Sequence, residues 1–343
     1  MRARLERLRD GQFGVFTAAQ VLGEYTQAEL RTRVLRGEWV RVCHGVYREA
    51  STSPVAQLRV EAARLSMGLP TLIAGYDTAA ELHGFSVIDS AATHVIGRQR
   101  SRSKQIVVHQ DRVDSLDLEL VKGTLTTSPV RTAVDLARTL DRLDALATLD
   151  AALRVGLSPG RVSHPLEFSR QAMDEEATRH RGRRGLRQAV ELIRLADGRA
   201  ESPMESRTRV RCIDAGLPYP EPQVEVSTPT GLRRLDLGWR ESRVGLEYDS
   251  ATWHSGRHAA ARDTARHNSL TTQGWTIFYA TALDVLHHPH LFTEPIRAML
   301  DRAAGRSPQP ACRRLHRREP NGRELIMSGN HLTLFDTTSG VDR

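Results

Sequence analysis

Apolar and polar positions follow a helical rhythm twice within the first forty residues. Thr17 is followed three residues later by Gln20, and Thr26 by Glu29. Each pair suits a reciprocal cap, in which the hydroxyl accepts a backbone N–H and the longer side chain reaches back to the cap residue. The first helix is expected to end at Leu22 before Gly23, the second to run from Gln27 to Arg36 before Gly37. The four residues between them are the spacing of a helix-turn-helix. Leu30 and Val34 mark the core side of the second helix, which turns Thr32, Arg33 and Arg36 outward. The pattern then changes to strict alternation in Trp39-Val40-Arg41-Val42 and Val46-Tyr47-Arg48 around Gly45, a β-hairpin. Residues 1–50 therefore outline a winged helix-turn-helix.

Residues 51–155 mix both rhythms and are expected to form an α+β domain. Leu58, Ala62, Ala63 and Met67 stripe a helix over 56–67, and a shorter helix over 77–82 stops at Gly84. Strands are expected over 93–96, 105–109 and 118–121. Ser128 then caps a helix with Pro129 at its first position, and another helix covers about 143–154. Residues 156–200 read as a basic helical connector: Ser158-Pro159-Gly160 breaks the pattern, Arg179 to Arg187 is dense in arginine, and a helix follows over about 186–196. That basic run suits a solvated face or a phosphate-contacting one. Residues 301–343, rich in Arg, Pro, Gly and Ser, are expected to be mostly disordered.

Over 201–300 the order is α-β-β-β-α-β. A helix opens at Ser202-Pro203-Met204-Glu205, strands cover 223–227, 232–239 and 243–249, a helix covers about 257–273, and a last strand covers 275–279. Alternation puts Glu247 and Asp249 on one face and Tyr248 on the other. If the middle strands pair through a turn at Glu241-Ser242, Asp236 lies across from Glu247. Three carboxylates on one face repel unless a hard cation joins them, and Mg²⁺ takes oxygen ligands. Such a cation polarises a phosphoryl oxygen and activates water. Other roles remain open for each residue. Glu205, three residues after Ser202, fits a helix cap as well as catalysis; Asp249 fits a turn cap; His254 fits a general base or a surface histidine. His258, Arg262 and Arg266 form a stripe along the helix that fits either solvent or phosphate.

Composition narrows the classes. The 343 residues are 26% charged and 39% hydrophobic, with a mean hydropathy of −0.42. No run approaches a membrane span, and the arginines at the N-terminus precede no apolar stretch, so a cytoplasmic protein is expected. Cys43, Cys212 and Cys312 are too scattered for a disulfide framework or a four-ligand zinc site. The net charge is +8, and its excess lies in residues 1–50, 151–200 and 301–343; 51–150 and 201–300 each carry 11 basic against 12 acidic residues. Only Lys104 and Lys122 are lysine, the other basic residues being arginine, a bidentate phosphate binder.

The spacing from Asp236 to Glu247-Tyr248-Asp249 resembles the PD-(D/E)XK nuclease core, and most closely the branch related to the very-short-patch-repair endonuclease, where the last motif position is Asp. The resemblance covers about residues 200–287 and includes Glu205, Gln223, His254, Asp263, Arg266 and Gly274-Trp275. It implies a restriction-endonuclease-like fold and Mg²⁺-dependent cleavage of DNA, with Asp236, Glu247 and Asp249 as metal ligands and Glu205 and His254 as further catalytic residues. Ser250 stands where that family usually has Gly, and no lysine follows Lys122. Residues 13–48 are similar to the winged helix of AbiEi-type antitoxins, and the next hundred residues to the segment that accompanies it. That similarity implies DNA binding, for which the outward Thr32, Arg33 and Arg36 are the candidate contacts, and allows a toxin partner; Arg262 and Arg266, on the helix stripe of the nuclease-like region, are further candidate DNA contacts. Two functions follow: a DNA-binding Mg²⁺-dependent endonuclease, or a transcriptional regulator or antitoxin whose nuclease fold is inactive.

Overall fold

The structure, a computed structural model, describes residues 1–157, 168–249 and 267–306, and the backbone of 324–328 and 331–335. The chain forms two compact units, Met1–Arg211 and Cys212–Arg343.

The first unit opens with α1 (Ala3–Asp10), β1 (Val15–Thr17), α2 (Ala18–Leu22), α3 (Gln27–Leu35), β2 (Trp39–Cys43) and β3 (Val46–Glu49). Both expected caps form. Thr17 Oγ1 accepts from Gln20 N while Gln20 accepts from Thr17 N, and Thr26 and Glu29 do the same. The hairpin acquires a third antiparallel strand, giving the order β1-β3-β2. Leu5, Phe16, Val21, Tyr25, Leu30 and Trp39 close the core between helices and sheet. Neither α1 nor β1 was expected, because each is held by partners distant in sequence: β1 pairs with β3, and Leu5 of α1 packs among α2, α3 and β2 residues.

There follow α4 (Ala56–Met67), β4 (Ile73–Ala74), α5 (Tyr76–His83), β5 (Thr93–Ile96), β6 (Ile106–His109), β7 (Leu118–Val121), β8 (Thr124–Thr127), α6 (Pro129–Thr139), α7 (Arg142–Leu157), α8 (Arg170–Arg179) and α9 (Leu186–Leu195). The five strands order as β6-β5-β4-β8-β7, with β5–β6 and β4–β8 parallel. Ser128 Oγ accepts from Arg131 N at the start of α6, with Pro129 in the first turn. The described part of the expected connector is not a spacer. Met173, Ala177, Ala189, Leu192 and Ile193 of α8 and α9 complete the core that α6 and α7 begin.

The arginines of the 179–187 run are partly consumed in structure. Arg179 pairs with Asp117 at 2.5 Å and Glu176 at 2.7 Å, and Arg183 with Asp111 at 2.9 Å. Beneath them Arg131 bonds Asp135 at 2.6 Å and Asp117 at 2.9 Å, all three buried. Such groups stay charged inside a protein because each keeps a hydrogen-bonded counter-charge.

A second polar cluster predicts a pH dependence. Tyr76, at a positive φ of 51°, donates its hydroxyl to Asp111 and stacks on the His109 ring at 3.6 Å. His109 Nε2 lies 3.1 Å from His94 Nδ1, which is 3.4 Å from Asp77. Burial, reinforced by His94, pushes the His109 pKa down to about 4; burial also lowers His83 and His94. The unfolded chain binds these protons first, at its higher pKa. Stability is therefore present above about pH 6.5 and is lost as pH falls toward 4. Urea midpoints should drop across that window, and His109→Gln should flatten the drop.

Helix α10 (Pro203–Asp214) begins in the first unit and ends in the second. The second unit contains β9 (Glu221–Thr228), β10 (Gly231–Trp239), β11 (Val244–Asp249), β12 (Thr276–Thr281), α11 (Ala282–His287), α12 (His290–Ala303), β13 (Glu324–Ser328) and β14 (His331–Phe335). The sheet order is β12-β11-β10-β9, antiparallel except for β11–β12. Val224, Val226, Leu235, Leu270 and Trp275 form one core, and α12 packs on β11 and β12. Gly238 and Gly245 pair across β10–β11. A Cβ on Gly245 would meet the Ile277 and Leu235 side chains at 2.8 and 2.9 Å, and one on Gly238 would meet Val224 at 3.0 Å. The antiparallel ladder β13–β14 lies within the tail expected to be mostly disordered.

Candidate nucleic-acid interface and strand carboxylates

Helix α3 presents Gln27, Ala28, Arg31, Thr32 and Leu35 to solvent, the last 87% exposed. Of the three residues expected to point outward, Thr32 and Arg36 do. Thr32 Oγ1 returns to Ala28 O at 2.9 Å, and Arg36 is 71% exposed at 4.0 Å from Glu38. Arg33 is a correction. Its guanidinium lies 5.0 Å from the Trp39 ring and 5.3 Å from Tyr25, with Nη1 2.7 Å from Glu38. Arg33 follows Leu30 by three residues, within about 60° of it around the helix, so the aromatic hairpin residue captures it. Arg31 joins this face although the helix pattern did not single it out. It is exposed and has no carboxylate partner among the described residues. Its place next to Leu30, a quarter-turn round the helix, was the available signal. In the hairpin turn, Arg41 donates to Cys43 O at 3.1 Å and lies 2.9 Å from His44 Nδ1.

The candidate carboxylates divide between the units. Glu205 belongs to the first, where it caps α10: its N–H donates to Ser202 Oγ at 3.2 Å and its carboxylate accepts from Glu201 N at 2.9 Å. In the second unit, Arg243 N donates to Arg240 O at 3.2 Å, so Glu241-Ser242 do form the turn centre. The pairs Leu237↔Leu246, Gly238↔Gly245 and Trp239↔Val244 follow from it, and the ladder ends one step short of Asp236 and Glu247. Asp236 Oδ2 accepts from Tyr248 N at 2.8 Å. On its other side the β9 ladder omits Gln223, which sits at a positive φ of 55°. Glu247 is 7% exposed and shares its strand face with Gly245, the face that carries Leu235 and Ile277. Asp249 ends β11 beside Thr281 of β12. Among the described residues no group of three or more His, Cys, Asp or Glu side chains is arranged to hold a metal. His254, Arg262 and Arg266 lie outside the described residues.

A family model described as "Transcriptional regulator, AbiEi antitoxin" matches residues 3–50, the region of α1 to β3. Another, described as "AbiEi antitoxin C-terminal domain", matches residues 72–195, from β4 to the end of α9. Over these two stretches the chain is AbiEi antitoxin-like. The second AbiEi match ends where α9 ends, in agreement with α8 and α9 completing that core. Uncharacterized proteins of two Mycobacterium tuberculosis strains are each 39% identical over 281 residues, covering 81% of this chain and 98% of theirs. Among the described residues, no helix of this AbiEi-type chain is long and apolar enough to cross a membrane.

Proposed function

We propose that this AbiEi-type chain is a DNA-binding transcriptional regulator of the antitoxin class, with residues 1–50 acting as a winged helix-turn-helix. In this reading α3 enters the major groove and the β2–β3 hairpin is the wing that follows the backbone. The observation that carries it is the exposed α3 face of Gln27, Arg31, Thr32 and Leu35 on a helix fixed by its cap and by Arg33 over Trp39. Gln and Arg supply bidentate donors to adenine and guanine edges, and an apolar side chain suits a thymine methyl. The family descriptions also make a toxin protein the expected partner of the same chain.

The test is a duplex selected from random sequence for tightest binding. Arg31→Ala should weaken binding about tenfold or more and relax base preference, without moving the thermal midpoint. Arg33→Ala should instead lower the thermal midpoint, since its guanidinium is worth about 0.5–2 kcal/mol against the rings. Binding by Arg31→Ala that equals the parent would remove α3 from the major groove.

A second reading, DNA hydrolysis by the second unit, is favoured by one observation, the β10–β11 ladder that runs from the Glu241-Ser242 turn to Leu237↔Leu246, next to Asp236 and Glu247. It predicts Mg²⁺-dependent nicking of plasmid DNA that Asp236→Ala and Glu247→Ala each abolish. Absence of nicking by the purified parent chain on supercoiled, nicked and single-stranded DNA leaves the regulator reading alone.

A further inference from the structure

We infer that a basic cleft between the β2–β3 turn and the β5–β6 loop grips backbone phosphates of the same duplex that α3 reads, an assignment that rests on the regulator reading. The cleft, of about 740 Å³, is lined by Arg41, His44, Ser66, Arg100, Arg102 and Ser103 among others. Its loop reads Arg98-Gln99-Arg100-Ser101-Arg102-Ser103-Lys104, a cation at every second position, and no carboxylate occurs between Asp89 and Asp111. Segment totals conceal this run, because acidic residues elsewhere in 51–150 cancel it.

Pairing separates these cations from the others nearby. Arg33, Arg59 and Arg64 each bond a glutamate, Glu38, Glu81 and Glu61. Among the described residues Arg98, Arg100, Arg102 and Lys104 have no carboxylate partner. Unpaired guanidiniums that crowd one cleft repel each other, and an anion relieves that repulsion. One wall is also built to hold its shape. Arg41 is fixed by Cys43 O and His44, and Ser66 Oγ of α4 donates to His44 O at 2.9 Å.

The lining selects the ligand. Guanidiniums and hydroxyls suit phosphate oxygens, which position a duplex without reading it. No aromatic ring apart from the His44 imidazole lines the cleft, so a free nucleotide or a single strand lacks the stacking platform it usually needs. Arg41 and His44 belong to the hairpin that follows α3, so the cleft continues the wing along the molecule's surface.

The full chain is tested on its selected duplex across roughly 0.05–0.3 M KCl, where each phosphate contact contributes about 0.9 to the log–log salt slope. Arg100→Gln with Arg102→Gln should lower that slope by about 2 and weaken binding at least about tenfold at the low-salt end. Arg187→Gln with Arg194→Gln, exposed on α9, removes the same charge and should leave the slope in place. An unchanged slope for the loop pair, or an equal change for the α9 pair, overturns the cleft assignment while the regulator reading stands. Absence of duplex binding by the parent chain overturns both. ATP that raises the parent's thermal midpoint but not the loop variant's, with DNA binding equal in the two, also overturns it in favour of a nucleotide site.

Discussion

Asp150→Ala is expected to destabilise the first unit by about 3–5 kcal/mol, because it strands a buried guanidinium. The Asp150 and Arg209 side chains are 1% and 0% exposed, and Arg209 Nη2 meets both carboxylate oxygens at 2.6 and 2.8 Å. The pair also ties elements together. Asp150 of α7 accepts from Asp197 N at 2.7 Å, and Arg209 of α10 donates to Leu195 O at 2.6 Å, at the end of α9. The loss should appear as a lower urea midpoint with an unchanged slope. Adding Arg209→Met should restore much of it, since two apolar side chains leave no unpaired charge. A single-variant cost under about 1 kcal/mol would mean that water reaches the pair.

Trp39→Ala should cost about 3–5 kcal/mol and abolish sequence-specific binding. Trp39 is 2% exposed and meets Phe16 edge-on at 5.0 Å and Tyr25 at 5.5 Å, while Arg33 covers its face. Removing it opens a cavity beneath α3 and frees Arg33 at once, so the helix loses its angle as well as its support. Hydrogen exchange separates this from general unfolding: protection should fall at α2 and α3 and persist in α6 and α7, whose core is a separate cluster. Protection kept at α3 would show that the remaining aromatic residues close over the gap.

Features decided within a few residues were legible in the sequence. The caps at Thr17, Thr26 and Ser128 depend on groups three residues away, and each formed. The pairing of β10 with β11 through the Glu241-Ser242 turn was local as well. Features decided by distant partners were not legible. Arg33 lies about 60° round the helix from Leu30 and Arg36 about 120°, and Trp39 on the neighbouring strand captures the nearer of the two. Asp150 and Arg209 lie 59 residues apart and gave no local sign of a pair. In the α8–α9 stretch the arginines dominate the sequence pattern, whereas its apolar residues, Met173, Ala177, Ala189, Leu192 and Ile193, decide its place. For the second unit, carboxylate spacing on strands gave the register but not whether the side chains gather. Asp236 accepts a backbone N–H from Tyr248, and no described cluster of three follows.

Glu38, at the foot of the hairpin, faces two arginines of the proposed DNA-reading helix, Arg33 at 2.7 Å and Arg36 at 4.0 Å. An internal carboxylate thus acts as their resident counterion. A phosphate arriving near Arg36 competes with Glu38, not only with dissolved anions, and fewer small ions are set free. The number of arginines on this surface therefore overstates how steeply its grip on a duplex weakens in brine. Glu38 also penalises loose, misaligned encounters, because only a phosphate close enough to outbid the carboxylate gains the full attraction.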